Sequence, residues 1–227
     1  MPFGERLNTL VTMAEEISQG HDETLAALRE VAEQVGAEMV LVGGAAVIRH
    51  GYQRTTKDRD LLVDYRRVRA LADTLWDDPN WERLEIREYA FVYKPTGLSV
   101  DFLVSRDLIT MGRPYYFPDV QNVEKVEPLE GIPVIGLNDL VWLKLLAGRM
   151  RDLADIMELC KLKPSAIDPE RVLASLEKED EDLREILLDI LKRAPLELAG
   201  EQRLGQGEVL RSNYTPKRRP DDTSQSN

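Results

Sequence analysis

Apolar residues recur at helical spacing from the start of the chain: Leu7, Leu10, Val11, Ala14 and Ile17, then Leu25, Leu28, Val31, Ala32 and Val35. They predict two helices up to about Gly36, the second opened by His21-Asp22-Glu23-Thr24. The period then changes. Glu38 to Val42 reads as a buried strand, Ala45 to His50 as a short helix ended by Gly51, and Asp58 to Val63 as a second core strand. A helix follows to about Trp76, with Val68, Leu71, Ala72 and Leu75 as its apolar face and Asp77-Asp78-Pro79-Asn80 as its stop. Trp81–Arg87, Tyr89–Lys94 and Leu98–Val104 predict an antiparallel meander, turned at Pro95-Thr96-Gly97. From Ser105 to Gly136 four prolines break any period, which predicts a loop with short strands at the rim of the sheet. Asn138 or Asp139 should cap a helix carrying Leu140, Val141, Leu143, Leu145 and Leu146. A second helix follows closely, and residues 168–193 add two charged amphipathic ones with Leu173, Leu176, Leu183, Ile186, Leu187 and Leu191 as their seam. Beyond about Ala199 the pattern fades into a tail that reads as disordered. The expectation is an α+β fold with a mixed sheet. Its divisions are 1–136 with the strands, 137–198 as a C-terminal helical unit, and 199–227 as the tail.

Composition narrows the class. The chain has 227 residues, 43% hydrophobic and 31% charged, which suits one or two globular domains. No stretch approaches the roughly 18 consecutive apolar residues of a membrane span, and the first residues lack a basic segment followed by an apolar run. A cytoplasmic protein without a membrane role is expected. The single Cys160 can form no intrachain disulfide and reads as a core residue, and His21 and His50 make no zinc cluster. His50, in the last turn of its helix, reads as a partner of that helix's own C-terminus. With 41 acidic against 30 basic residues the net charge is −11, which disfavours broad nucleic-acid binding. Arg54, Lys57, Arg59, Arg66, Arg67 and Arg69 nevertheless crowd one part of the sequence. A cationic mouth there would attract a nucleoside triphosphate, although Arg66, Arg67 and Arg69 also fit a solvated helix face.

The chemistry concentrates between Val40 and Asp64. Alternate side chains of a strand share a face, so Asp58 and Asp60 project together while Leu61 and Val63 enter the core. Two carboxylates on one face suit Mg²⁺, which keeps part of its shell for water and substrate phosphates. Gly43-Gly44, directly after a buried strand, lets backbone N–H groups approach an anion. Alone, the glycine pair is a turn and Asp-Arg-Asp a solvated edge; their spacing makes them one pattern. In Leu98–Val104, Val100, Phe102 and Val104 define the apolar face and leave Asp101 on the other, where a mid-strand aspartate calls for a cation or metal partner unless the strand lies at an edge. Tyr115-Tyr116-Phe117 suits the anchoring of a long loop or the stacking of a base.

This combination of a glycine pair at a strand end, about a dozen residues, and Asp-x-Asp on the next strand resembles the DNA polymerase β-type nucleotidyltransferase superfamily. It is most similar to the bacterial AbiEii-like nucleotidyltransferases, many of them toxins of toxin–antitoxin pairs, through Gly43-Gly44-Ala45-Ala46, Arg54-Thr55-Thr56-Lys57-Asp58 and the segment Lys144 to Asp155. The resemblance covers roughly Met39 to Ile156. It implies a polymerase-β-like nucleotidyltransferase domain with a helical N-terminal extension. It also implies two Mg²⁺ ions gathered by Asp58, Asp60 and Asp101, and a triphosphate held by Gly43, Gly44 and Lys144. The implied reaction moves an NMP from an NTP to a hydroxyl of a tRNA, a protein or a small molecule, with a cognate antitoxin as a further partner. The alternatives are a nucleotide-binding protein that keeps the fold without turnover, and a partner-binding protein. Read from the residues alone, Lys144 also fits a surface lysine, and Asp152 and Asp155 fit a local salt-bridge set with Arg149 and Arg151. Two departures from the pattern stand out: Gly44 where many relatives carry serine, and Arg59 where an apolar side chain is usual.

Overall fold

Val40, Leu41, Leu61, Leu62 and Val63 are fully buried, and these runs become the two central strands of one seven-stranded mixed sheet. The computed structural model describes residues 20–205 apart from 21, 57, 86, 110–112 and 179, and leaves out the side chains of 201–205. The first expected helix, Lys57 and the residues after 205 lie outside the described residues.

The strands are β1 (Met39–Leu41), β2 (Asp58–Val63), β3 (Trp81–Arg83), β4 (Ala90–Tyr93), β5 (Leu98–Val104), β6 (Lys125–Leu129) and β7 (Ile132–Ile135). Their order across the sheet is β3-β4-β5-β2-β1-β7-β6. β2 runs antiparallel to β1 and parallel to β5, and β1 runs parallel to β7. The helices are α1 (22–35), α2 (Gly43–Arg49), α3 (Val68–Asp77), α4 (Leu137–Ala147), α5 (Met150–Leu162), α6 (Pro169–Ala174) and α7 (Glu181–Gly205). The mixed α+β architecture expected from the apolar pattern is the one observed, and α7 continues past Ala199 to Gly205. No described helix is long and apolar enough to cross a membrane.

The region from 105 to 136 holds the expected loop and short strands, but only β6 lies at the rim. Its second half is a hairpin, β6–β7, turned at Glu130-Gly131 with both residues at positive φ (48° and 79°). Ile132, Val134 and Ile135 are buried, and β7 supplies β1 with its second neighbour. Pro128 is tolerated because β6 is an edge strand. The first half stays a loop, anchored by Tyr115, whose hydroxyl donates to Asp180 and whose ring meets Trp142 edge-on at 6.1 Å.

Helix α4 is apolar nearly all round and buried, packed against α2 and α5. It starts at Leu137 without a side-chain cap. The two expected capping residues tie distant segments instead: Asn138 accepts from the Asp168 N–H at 2.7 Å, and Asp139 from the Glu124 N–H at 2.6 Å. The ring of His50 likewise leaves its own helix, and its Nε2 donates to the Ile135 carbonyl at 2.8 Å, joining α2 to β7. Burial lowers its pKa. Cys160 is a core residue, its thiol pushed up to about 11 by burial.

Candidate active site

Asp60 and Asp101 stand directly opposite each other on the neighbouring parallel strands β2 and β5, and Asp58 opposes Ser99 two positions away. All three aspartates therefore belong to one face of the sheet. On that face a cavity of about 360 Å³ is lined by Asp60 and Asp101 from the sheet, Val42 and Gly43 from the β1–α2 junction, Lys144 from α4, and Arg87, Arg149 and Asp152. Leu140, Leu143 and Phe117 form an apolar wall.

The glycine pair shapes this cavity around Asp60. Gly43 has φ +58°, and a Cβ there would overlap the Asp60 carboxylate. The Gly44 N–H donates to Asp60. Burial raises the Asp60 pKa and neighbouring Asp58 adds to it, against the Gly44 N–H and the charges of Arg149 and Lys144. At Gly44 a Cβ would come within 2.7 Å of Arg54 Nη2 and 2.8 Å of Thr56 Oγ1. A side chain at Gly44 would have to displace the ends of Arg54 and Thr56. Gly43→Ala combines an unfavourable φ with a clash, and we expect it to lower stability by about 2–4 kcal/mol. Urea denaturation checks this, and a loss below about 0.5 kcal/mol would mean that Asp60 simply moves aside.

A chain of buried charges runs behind the cavity. Arg54, from the loop entering β2, grips Asp155 of α5 with two nitrogens, Nη2 at 3.0 Å and Nε at 2.9 Å. Lys144 Nζ donates to Asp155 at 2.7 Å and to Asp152 at 3.0 Å, and Arg149 Nε donates to Asp152 at 2.6 Å. Asp155 is 1% exposed and Lys144 5%, so Lys144 is no surface lysine. Burial alone would raise the Asp152 pKa, but Arg149 and Lys144 outweigh it and hold the group below its usual value. The salt-bridge set expected within one helix is thus partly local, Arg149 with Asp152, and partly long-range: Asp155 pairs with Arg54 and Lys144.

None of the described residues expected to form a cationic mouth lines the cavity. Arg59 points to the opposite face of β2, 6% exposed, with Nε and Nη1 unpartnered among the described residues and Asp22 as its largest counter-charge. Burial lowers its pKa to about 10. Arg66 pairs with Asp64, and Arg69 lines a separate groove beside Trp76. Among the described residues, the cations that face the cavity are Arg87, Lys144 and Arg149. Arg87, from the β3–β4 connection, pairs with Asp101. Neither Arg87 nor the Arg54–Asp155 pair has a local sequence signal.

Three hard carboxylates on one face match Mg²⁺ in donor type. In their present positions, among the described residues, no three acidic, histidine or cysteine side chains converge closely enough to hold an ion. Asp58 lies outside the cavity lining and its Oδ1 accepts from Thr56 at 3.2 Å, while Asp101 is held by Arg87. Rotation of these two side chains is what a metal would require.

The family model described as "Nucleotidyltransferase of unknown function (DUF6036)" matches residues 19–185. The chain belongs to that nucleotidyltransferase family. Its fold is similar to that of an antigenic nucleotidyltransferase-like protein from Paracoccidioides brasiliensis, with a TM-score of 0.57 and 18% identity over 81% of this chain and 92% of that one. A second solved structure, ANT(2'')-Ia in complex with adenylyl-2''-tobramycin, has a TM-score of 0.38 and 10% identity over 82% of this chain and 98% of that one. No curated protein matches the sequence. As a nucleotidyltransferase the protein is an enzyme of nucleotide transfer, and the matched span holds both glycines, all three aspartates and the buried Lys144 network.

Proposed function

We propose that this nucleotidyltransferase moves an NMP from an NTP to an acceptor hydroxyl, releasing pyrophosphate, with Mg²⁺ bound at Asp58, Asp60 and Asp101. The observation that carries the reading is the facing pair Asp60 and Asp101, which opens into one cavity with Lys144 and Arg149. Bound Mg²⁺ would neutralise triphosphate charge and acidify the acceptor hydroxyl. Lys144 and Arg149 add fixed positive charge for the triphosphate, Gly43 and Gly44 form the floor beside Asp60, and the apolar wall limits water. Asp101, on the more open side, faces the acceptor and takes its proton. The acceptor is a tRNA end, a protein hydroxyl or a small molecule, and a role as the toxin of a toxin–antitoxin pair, with a cognate antitoxin, belongs to the same reading. The second reading, a nucleotide binder without turnover, draws on the engagement of Asp101 by Arg87 and of Asp58 by Thr56.

Incubation with each labelled NTP, Mg²⁺ and a cell extract tests the proposal, since label entering RNA, protein or small molecules names the acceptor. Saturating Mg²⁺ and NTP should also raise the Tm by mass action. Asp58→Ala with Asp60→Ala should fold and abolish that shift. An unchanged shift in the double variant would move the nucleotide site elsewhere.

A further inference from the structure

Arg87 closes the open side of the cavity. It lies on the β3–β4 connection, held there by its N–H on the Leu84 carbonyl, and its side chain is 61% exposed whereas that of Asp101 is 13% exposed. The other two cations of the lining are committed elsewhere, Lys144 and Arg149 both to Asp152. Asp101 is therefore served from the hairpin alone among the lining cations, by a guanidinium that stands in water on its outer side. Such a pair is weak, because water on the exposed side screens its charges. The geometry is also exclusive. Arg87 Nη1 occupies Asp101 Oδ2, an oxygen that a divalent ion shared with Asp60 would also draw on, and the two positive charges repel at that range.

We infer that Arg87 is a built-in competitor for divalent metal at Asp101. It neutralises the carboxylate in the free protein and withdraws when a metal ion is bound between Asp60 and Asp101. The inference rests on the nucleotidyl-transfer reading above and extends it. The free enzyme holds metal poorly by itself, and the Arg87 side chain leaves Asp101 as the metal-loaded substrate enters.

Mn²⁺ binding, followed by loss of the free-ion EPR signal without nucleotide, tests this on five proteins: wild type, Arg87→Ala, Arg83→Ala, Asp101→Asn and Asp101→Asn with Arg87→Ala. Arg87→Ala should bind Mn²⁺ about fivefold more tightly than wild type, the release expected of one partly exposed ion pair. Arg83, which lies over the Trp76 ring on the same hairpin, should have no effect when removed. In the Asp101→Asn background the Arg87 substitution should also do nothing, because the group it competes for is gone. Equal affinity of wild type and Arg87→Ala overturns the inference and leaves the transfer reading standing. The same gain in both backgrounds overturns it too, since that result reports only a general loss of positive charge. Absence of Mn²⁺ binding in both wild type and Arg87→Ala overturns this inference and the metal assignment together.

Discussion

Asp155→Ala is expected to lose about 3–5 kcal/mol of stability, the range for a buried ion pair broken on one side only. The substitution leaves two cations without their shared partner. Arg54 loses its Nη2 hydrogen bond and its Nε ion contact with Asp155, and Lys144, deep in an apolar helix, keeps only Asp152. A buried ammonium or guanidinium with too few acceptors destabilises far more than the pair stabilised, because its hydration is never recovered. Urea denaturation gives the number. Replacing Lys144 and Asp155 together by Met and Leu should lose less than Asp155→Ala, because it removes a buried charge as well as its partner. A loss under about 1 kcal/mol for Asp155→Ala would show that water reaches this network and that the burial argument fails.

The second large effect falls on chemistry. Asp101→Asn keeps size and shape but removes a carboxylate from the acceptor side, so we expect label transfer to fall by about 10²–10³-fold, the range for losing one group that stabilises developing charge. Nucleotide affinity should stay near wild type, because Asp60, Lys144 and Arg149 remain. A loss confined to the rate marks an interaction made in the transition state. Single-turnover transfer alongside equilibrium nucleotide binding separates the two. Wild-type transfer rates in Asp101→Asn would make Asp101 an ordinary strand aspartate.

Much of this arrangement was readable from local signals. The apolar run at Val40–Val42 and the alternation through Asp58–Val63 and Leu98–Val104 fixed which aspartates share a face, and the register then brought Asp60 and Asp101 together. Short strands were expected between 105 and 136, but their pairing as a hairpin that extends the core sheet escaped, because Pro128 and Pro133 argue against paired strands one residue at a time. The Glu130-Gly131 turn between two short alternating runs was the signal that outweighs them. The charge network escaped for a different reason. Arg54 and Asp155 are 101 positions apart, and nothing periodic connects them. The six basic residues near the motif were close in sequence, but β2 sends Arg59 to the opposite face from Asp58 and Asp60, while Arg87 and Arg149 arrive from a hairpin and a helix cap.

The parallel pairing of β1 with β7 also sets an order on assembly. As the chain leaves the ribosome, β2 and the meander can pair early, but β1 keeps an open edge until Ile132–Ile135 emerge, and Arg54 has no acid to grip until α5 follows. Closing contacts over such separations is slow compared with forming a hairpin or a helix. A nascent chain therefore displays the aspartates and glycines of its motif well before Lys144 is held in place. Arg54 and Lys144 acquire their shared carboxylate only when synthesis has passed Asp155, so the charge network behind the cavity closes late.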